Sequence, residues 1–510
     1  MSQIKRIFSL FCVAVIAPAM LFAASHPNYL RLPFQSDVPA MDPGIAEDSS
    51  SIEVIEQLFL GLTDYDPVTY DVIPELATSW TANDTGDQFV FKMRNDIKWT
   101  NGNPVTAHDV LWALRRNVKP ETASPYAYVL YILKNAEEIN TGKIKDVNQL
   151  GVKALDDFTL QFDLIGPAGF FPAMAGLWTY RPQPVETVKQ YGEKWATPEN
   201  IVTNGAYTLS DWKHDDVIIL KKNPGYYRAG DVKIDEVRYY VIPEASTGLS
   251  MYENNELDVL GGDYLPLPLP EIPRIKMDPV LKKEYSIEPR LCTYYLGLNN
   301  ERPPMDNVLV RKAISAAIDR QLIIDKVTKG EQTPATTFTR PPIFGSVDPS
   351  EGVGNGFDPE QARKWLAEAG YPNGKGFPTI TYMHNTSEGH AQIAQAVQAL
   401  VKRHLNVDIK VENQEWKVYL KSTTQPDAPH LFRFGWCADY PDANNWLLEV
   451  FHPTKSLNRI RWQNKEFEQV TDMAQTSMNQ AWRQKLYKRA ETILCEEQQA
   501  MIPIYFYTTQ

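Results

Sequence analysis

Apolar positions recur with period two in short stretches of the chain and with period 3.6 in longer ones. YLRLPF at 29–34 puts Leu30, Leu32 and Phe34 on one side and predicts a strand; FVFKMR from Phe89 does the same. Between them, after the Asp- and Ser-rich loop DPGIAEDSSS, Ile52 to Leu60 carries Val54, Ile55, Leu58 and Phe59 on one side of a predicted helix. Thr106 is placed to cap a helix through Val110, Leu111 and Leu114. The turn-rich stretch from Leu62 to Pro184 is expected to form a small inserted domain. A Pro-rich break, LPLPLPEIP at 265–273, precedes a different organisation.

Past that break, one long helix is expected from Asn307 to Thr328, stopped by Gly330. Asp358-Pro359 opens another, with Ala362, Trp365, Leu366 and Ala369 on one face and Gly370 as its stop. Thr379–Met383 reads as a strand. Ile393, Val397, Leu400 and Val401 mark a helix, and Val407, Ile409 and Val411 a second strand. Such a unit implies parallel strands joined by a right-handed crossover. Ala481 to Glu497 reads as a helix and IPIYFY as a final strand. The fold class is therefore α/β, with two lobes and a cleft where loops at strand ends converge on a ligand.

A chain of 510 residues is too long for one core, so two or three domains are expected. Lys5 and Arg6 precede the apolar run IFSLFCVAVIA, and small residues follow at Ala23 and Ala24; residues 1–24 read as a cleaved secretory signal and the mature protein as periplasmic. Phe11 before Cys12 is too bulky for a lipid-anchor signal. Loss of Lys5 and Arg6 takes the net charge from -12 to -14, and so acidic a chain repels phosphates, which excludes nucleic acid as a partner. Cys292, Cys437 and Cys495 remain after cleavage; spacing alone does not choose a pair, and Cys495 reads as a buried thiol in a helix.

Candidate catalytic chemistry is sparse. The eight histidines, His26, His108, His214, His384, His390, His404, His430 and His452, include no HExxH pair, and there is no GxSxG elbow. GVGNG at 352–356 follows no strand and opens no helix, so it reads as a loop. Asn83 and Asn385 begin short sequons of a kind that arises by chance. No cofactor, metal or enzymatic activity is expected.

PELATSW (74–80), FKMRNDIKWTNGNPVTAHDV (91–110) and NIVTNGAYTLSDW (200–212) resemble the family 5 extracellular solute-binding proteins. ASPYAYVLY (123–131), LCTYY (291–295), HNTSEGH (384–390), ENQEW (412–416) and FGWCADY (434–440) resemble its oligopeptide receptors. The resemblance implies a class II two-lobed fold of three domains that closes by a hinge over the ligand. Domain I would comprise 25–60 with 187–291, domain II 61–186 and domain III 292–510. The function implied is capture of short peptides by a monomer, for delivery to the permease subunits of an ABC-type inner-membrane importer. A receptor for murein peptides is the alternative.

The same resemblance pairs Cys292 with Cys437 and leaves Cys495 free. It implies that Asp439 binds the peptide α-ammonium, since an ammonium shut away from water needs a carboxylate. Gly435, Trp436 and Cys437 opposite Glu47 and Ser49 would bond the peptide backbone by strand addition. Tyr126 would contact the N-terminal end, Trp416 and Trp436 would form apolar walls, and Tyr295 would line a pocket. Arg433 and His390 would be the cations that meet the peptide carboxylate. Arg290 stands where relatives carry an aromatic and is expected to favour an acidic side chain; Thr328 stands where a lysine meets the shortest ligands. Relatives continue past the segment resembling IPIYFYTT, so the return to domain I is expected to be truncated.

Overall fold

A computed structural model describes residues 28–66, 71–262 and 264–510. The expected secretory signal at 1–24, Cys12 included, lies outside the described residues. Tyr29–Phe34 pairs in parallel with Glu236–Val241, and Val217–Lys222 and Tyr207–Lys213 complete a four-stranded sheet. The opening strand is thus joined to a segment some two hundred positions later. Ala77–Ala82, Gln88–Met93, Thr159–Asp163 and Val152–Asp156 form a second four-stranded sheet, fully antiparallel. Although residues 77–163 have a sheet of their own, its Phe91 and Phe162 share one buried cluster with Phe34 and Tyr239 of the first. The helix Ser49–Leu58 begins earlier than its apolar stripe because the Asp48 side chain accepts from the Ser51 N–H. Thr106 caps Ala107–Asn117 as expected, with Asp109 Oδ2 accepting from the Thr106 N–H at 2.8 Å.

The second lobe is built on a six-stranded mixed sheet. Glu288–Leu298 lies at its centre, flanked antiparallel by Met501–Thr509 and Leu431–Cys437. Ile380–Asn385 and Ile409–Gln414 pair in parallel around the helix Glu388–Leu405, which is the expected strand–helix–strand unit. Adjacent residues of the central strand serve opposite faces: Tyr294 belongs to one buried cluster and Tyr295 to another.

The long helix expected from Asn307 to Thr328 is broken. Val308–Ala316 ends, Asp319 caps Arg320–Ile323, and Ile324–Thr328 widens into a π turn that stops at Lys329 with φ 53°, one residue before Gly330. The break persists because the Arg320 guanidinium, 4% exposed, donates to the carbonyls of Ser315, Ile318 and Pro503, satisfying groups that a continuous helix would have paired itself. Ala481 to Glu497 holds as a helix, with its last turn, Ile493–Glu497, also π. No helix among the described residues is long and apolar enough to cross a membrane.

Cys292 and Cys437 face each other in the antiparallel ladder and are bonded; Cys495 is a buried free thiol. Burial, with Glu491 beside it, pushes that thiol well above its ordinary range. Protein made without residues 1–24 is therefore expected to show no thiol reactive toward an aromatic disulfide reagent when native, one in denaturant, and three after reduction in denaturant. A thiol that titrates in the native state would contradict the burial of Cys495. Because the bond closes a separation of 145 positions, its reduction should cost up to about 5 kcal/mol, read from the urea transition.

Candidate functional site

The site grows from the strand Leu431–Cys437. All seven of its residues pair with Glu288–Leu298, but on the other side it pairs with Ile380–Asn385 only at Leu431 and Phe432. From Arg433 to Cys437 that outer edge has no ladder partner among the described residues. An open strand edge is a template for an added strand. Gly435 keeps it approachable: a Cβ there would sit 3.2 Å from the Tyr507 hydroxyl and 3.4 Å from Arg433 Nη2.

Two adjoining cavities, of about 290 and 550 Å3, share Ser49, Arg290 and Cys437 in their walls. Gly435, Trp416, Arg433, His390 and Thr328 line the smaller one. Asp439, Glu53, Glu56 and Asp64 line the larger, with Arg181 among them. Most of the carboxylates line the larger cavity, while Arg433 lines the smaller, together with Asp48 and Glu388. Burial pushes the Asp439 carboxyl up to about 7, against hydrogen bonds from Asn445 and Tyr126 that favour its ionised form. In the smaller cavity Arg433 is held by neutral groups: Asn385 Oδ1 at 3.3 Å, the Tyr507 hydroxyl at 2.6 Å and the face of Tyr294 at 5.0 Å. No carboxylate among the described residues forms an ion pair with it.

Four expectations need correction or refinement. Glu47 does not line either cavity; its carboxylate accepts from Arg459 Nη2 at 2.6 Å, an ion pair between the lobes. Arg459 is fixed for this by Leu420 O and Thr423 Oγ1, both 2.8 Å away. His390 lines the cavity but is no cation there, because burial and the neighbouring Arg433 hold its ring well below 6.5. Tyr295 is 2% exposed and sits behind the main cavity; with Phe434, Trp436 and Arg459 it bounds a void of only about 20 Å3. Tyr126 is 4% exposed, its ring parallel to Trp436 at 6.5 Å, so its reach toward the site is through its hydroxyl and Asp439.

Sequence reasoning missed Asn445 and Arg459. Asn445 is fully buried; its Oδ1 accepts from the Asp439 N–H at 2.9 Å and the Trp436 indole N–H at 3.3 Å. Its one trace in the sequence is a pair of amides inside the otherwise apolar run ANNWLL. Arg459 left none. Among the described residues no group of three or more His, Cys, Asp or Glu side chains is placed to hold a metal. The lobes are drawn together: Phe170 stacks on Tyr440 at 5.6 Å, and Ser246 Oγ donates to Glu388 at 3.0 Å.

Comparison with known proteins agrees with this geometry. Residues 71–458 match the model of the bacterial extracellular solute-binding proteins, family 5. The oligopeptide-binding protein OppA of Bacillus subtilis is 35% identical over 488 residues, 94% of this chain and 87% of that one. The structure of Haemophilus influenzae OppA in complex with the peptide RPPGFSPFR superposes with a TM-score of 0.85 at 30% identity, covering 95% of this chain and 94% of that one. The Escherichia coli murein tripeptide-binding protein MppA superposes at 0.86 with 30% identity, over 94% of this chain and 92% of that one. The unliganded open form of MppA, over 95% and 92% at the same identity, reaches only 0.63. The arrangement described above is thus the closed one. By its sequence match over most of its length and by its closed two-lobed fold, the chain belongs to the family 5 bacterial extracellular solute-binding proteins.

Proposed function

We propose that the protein is the periplasmic capture component of an ABC-type importer for short peptides, acting as a monomer that hands its ligand to the permease subunits. The observation that carries this reading is the open edge of Arg433–Cys437, running between a cation and a buried carboxylate inside a closed cleft. An extended peptide laid against that edge bonds its backbone to Gly435, Trp436 and Cys437, with Ser49 on the opposite wall. Its ammonium meets Asp439 and its carboxylate Arg433, while His390 contributes a neutral ring. Trp416 and Trp436 flank the side chains. This arrangement reads the features common to all peptides and leaves the side chains to space and water. The peptide-bound relative supports it. The domain division 25–60 with 187–291, 61–186 and 292–510 fits the same scheme, with the hinge between the first and last.

A murein-derived peptide is the second reading. The observation favouring it is the superposition of the Escherichia coli murein tripeptide-binding protein MppA at a TM-score of 0.86. Competition between a murein tripeptide and trialanine would separate the readings.

Calorimetry with a short alanine-rich peptide, free and N-acetylated, tests the main one after bound ligand has been removed by unfolding and refolding. Asp439→Asn should weaken the free peptide by about a hundredfold or more, as expected when a buried ion pair loses one partner. Equal binding of the two peptides by the unaltered protein would move the ammonium site elsewhere. The pH dependence has a definite sign. A carboxyl raised to about 7 is protonated below that pH, and the ammonium needs it ionised, so affinity for the free peptide should fall as pH drops through about 7. The acetylated peptide should show no such fall.

Glu47→Gln removes the charge from the bond between the lobes and leaves the other partners of Arg459 in place. It should speed peptide release by about tenfold, measured by stopped-flow displacement, with little change in the association rate. An unchanged release rate would mean that the ion pair does not help hold the cleft shut.

A further inference from the structure

Behind Asp439 lies a second buried carboxyl, which lines neither of the two larger cavities. Glu449 is 3% exposed; it accepts from the Tyr440 hydroxyl at 2.6 Å, the Asn444 amide at 3.2 Å and the Asn445 amide at 2.9 Å. Asn445 joins the two acids. Its Nδ2 donates to Asp439 Oδ2 and to Glu449 Oε2, each at 2.9 Å, while its Oδ1 takes the Asp439 and Trp436 N–H groups. All four bonds of this amide are used, and the side chain is wholly buried. It can take this position because Asn444–Leu448 is a π turn, which brings consecutive amides round to the Asp439 loop.

We propose that Asn445 is the positioning residue for the ammonium-binding carboxylate. The inference rests on the assignment of Asp439 made above. Burial pushes Glu449 up to about 8 and the Asp439 charge adds to this, against hydrogen bonds from Tyr440 and Asn445 that favour its ionised form. The other titratable and charged groups around Asp439 are Tyr126, Tyr128 and Tyr65, with Glu53, Glu56, Asp64, Asp66, Glu288, Arg181 and Arg290 on the same cavity. None of them is altered by the substitutions below.

The test uses the free and N-acetylated alanine peptides across pH 5.5 to 8.5, with Asp439→Asn as the reference. Asn445→Ala should cost the free peptide about tenfold or more, the worth of a hydrogen bond to a charged group, and the acetylated peptide less than about twofold. Its acid limb should move up by about half a pH unit or more, because the ionised carboxylate has lost a donor. In the Asp439→Asn background the same change should have no further effect on binding. Should Asn445→Ala fail to fold, Asn445→Ser, which cannot bridge the two acids, is measured in its place and carries the same expectations.

Equal loss for both peptides, an unmoved acid limb, or losses that add to those of Asp439→Asn would overturn the role of Asn445. If Asp439→Asn itself leaves binding of the free peptide unchanged, it is the assignment of Asp439 that fails, and this is told apart from failure of the inference by that variant alone.

Discussion

The antiparallel pairing of Glu288–Leu298 with Leu431–Cys437 is the constraint on which the rest of the molecule depends. It joins segments far apart in the chain, and its seven residue pairs end in the Cys292–Cys437 bond. Closing so large a loop is entropically expensive, so the covalent link acts where it restricts the unfolded chain most. The pairing also determines which edge is left over. Because Glu288–Leu298 takes one side of Leu431–Cys437 and Ile380–Asn385 leaves the other after Phe432, the edge from Arg433 to Cys437 has no strand partner among the described residues, and the Tyr419 hydroxyl donates to its first carbonyl, that of Arg433. The disulfide holds this edge in register at its far end, next to Asp439.

The second constraint is electrostatic. Charges in a closed cleft lose water, and each must find compensation or neutralise. This protein uses several solutions side by side. Glu47 and Arg459 neutralise each other between the lobes. Arg433 is surrounded by neutral oxygens and aromatic faces. His390 sheds its proton, and Glu449 is pushed up to about 8. Asp439 stands between these extremes at about 7.

Legibility in the sequence followed the range of the interactions. Strands with alternating apolar residues, the Thr106 and Asp358 caps, and the strand–helix–strand unit at 380–414 depend on neighbours within a few positions, and they were read with small errors at the boundaries. The long helix at 307–328 was misread because its interruption is held by Arg320 bonding to Pro503, a partner no local pattern reveals. At the site, FGWCADY picked out Gly435 and Cys437 and the wider resemblance Arg433, and the fold brings all three to one cavity wall. Asn445 stayed hidden because a π turn, not a motif, turns it toward Asp439.

By itself, the sequence determined an α/β protein of two lobes, the family, the cysteine pair and a polar strand-edge site, because periodicity and a shared motif record which residues must face a core or a common ligand. Tertiary structure alone decided the charge state and engagement of each site residue: that Glu47 is committed to Arg459, that His390 is neutral, that Tyr295 is wall backing, and that Asp439 shares an amide with Glu449. The physical reason is that burial and long-range partners set the free energy of a charge, and neither quantity exists until distant segments have been packed against each other.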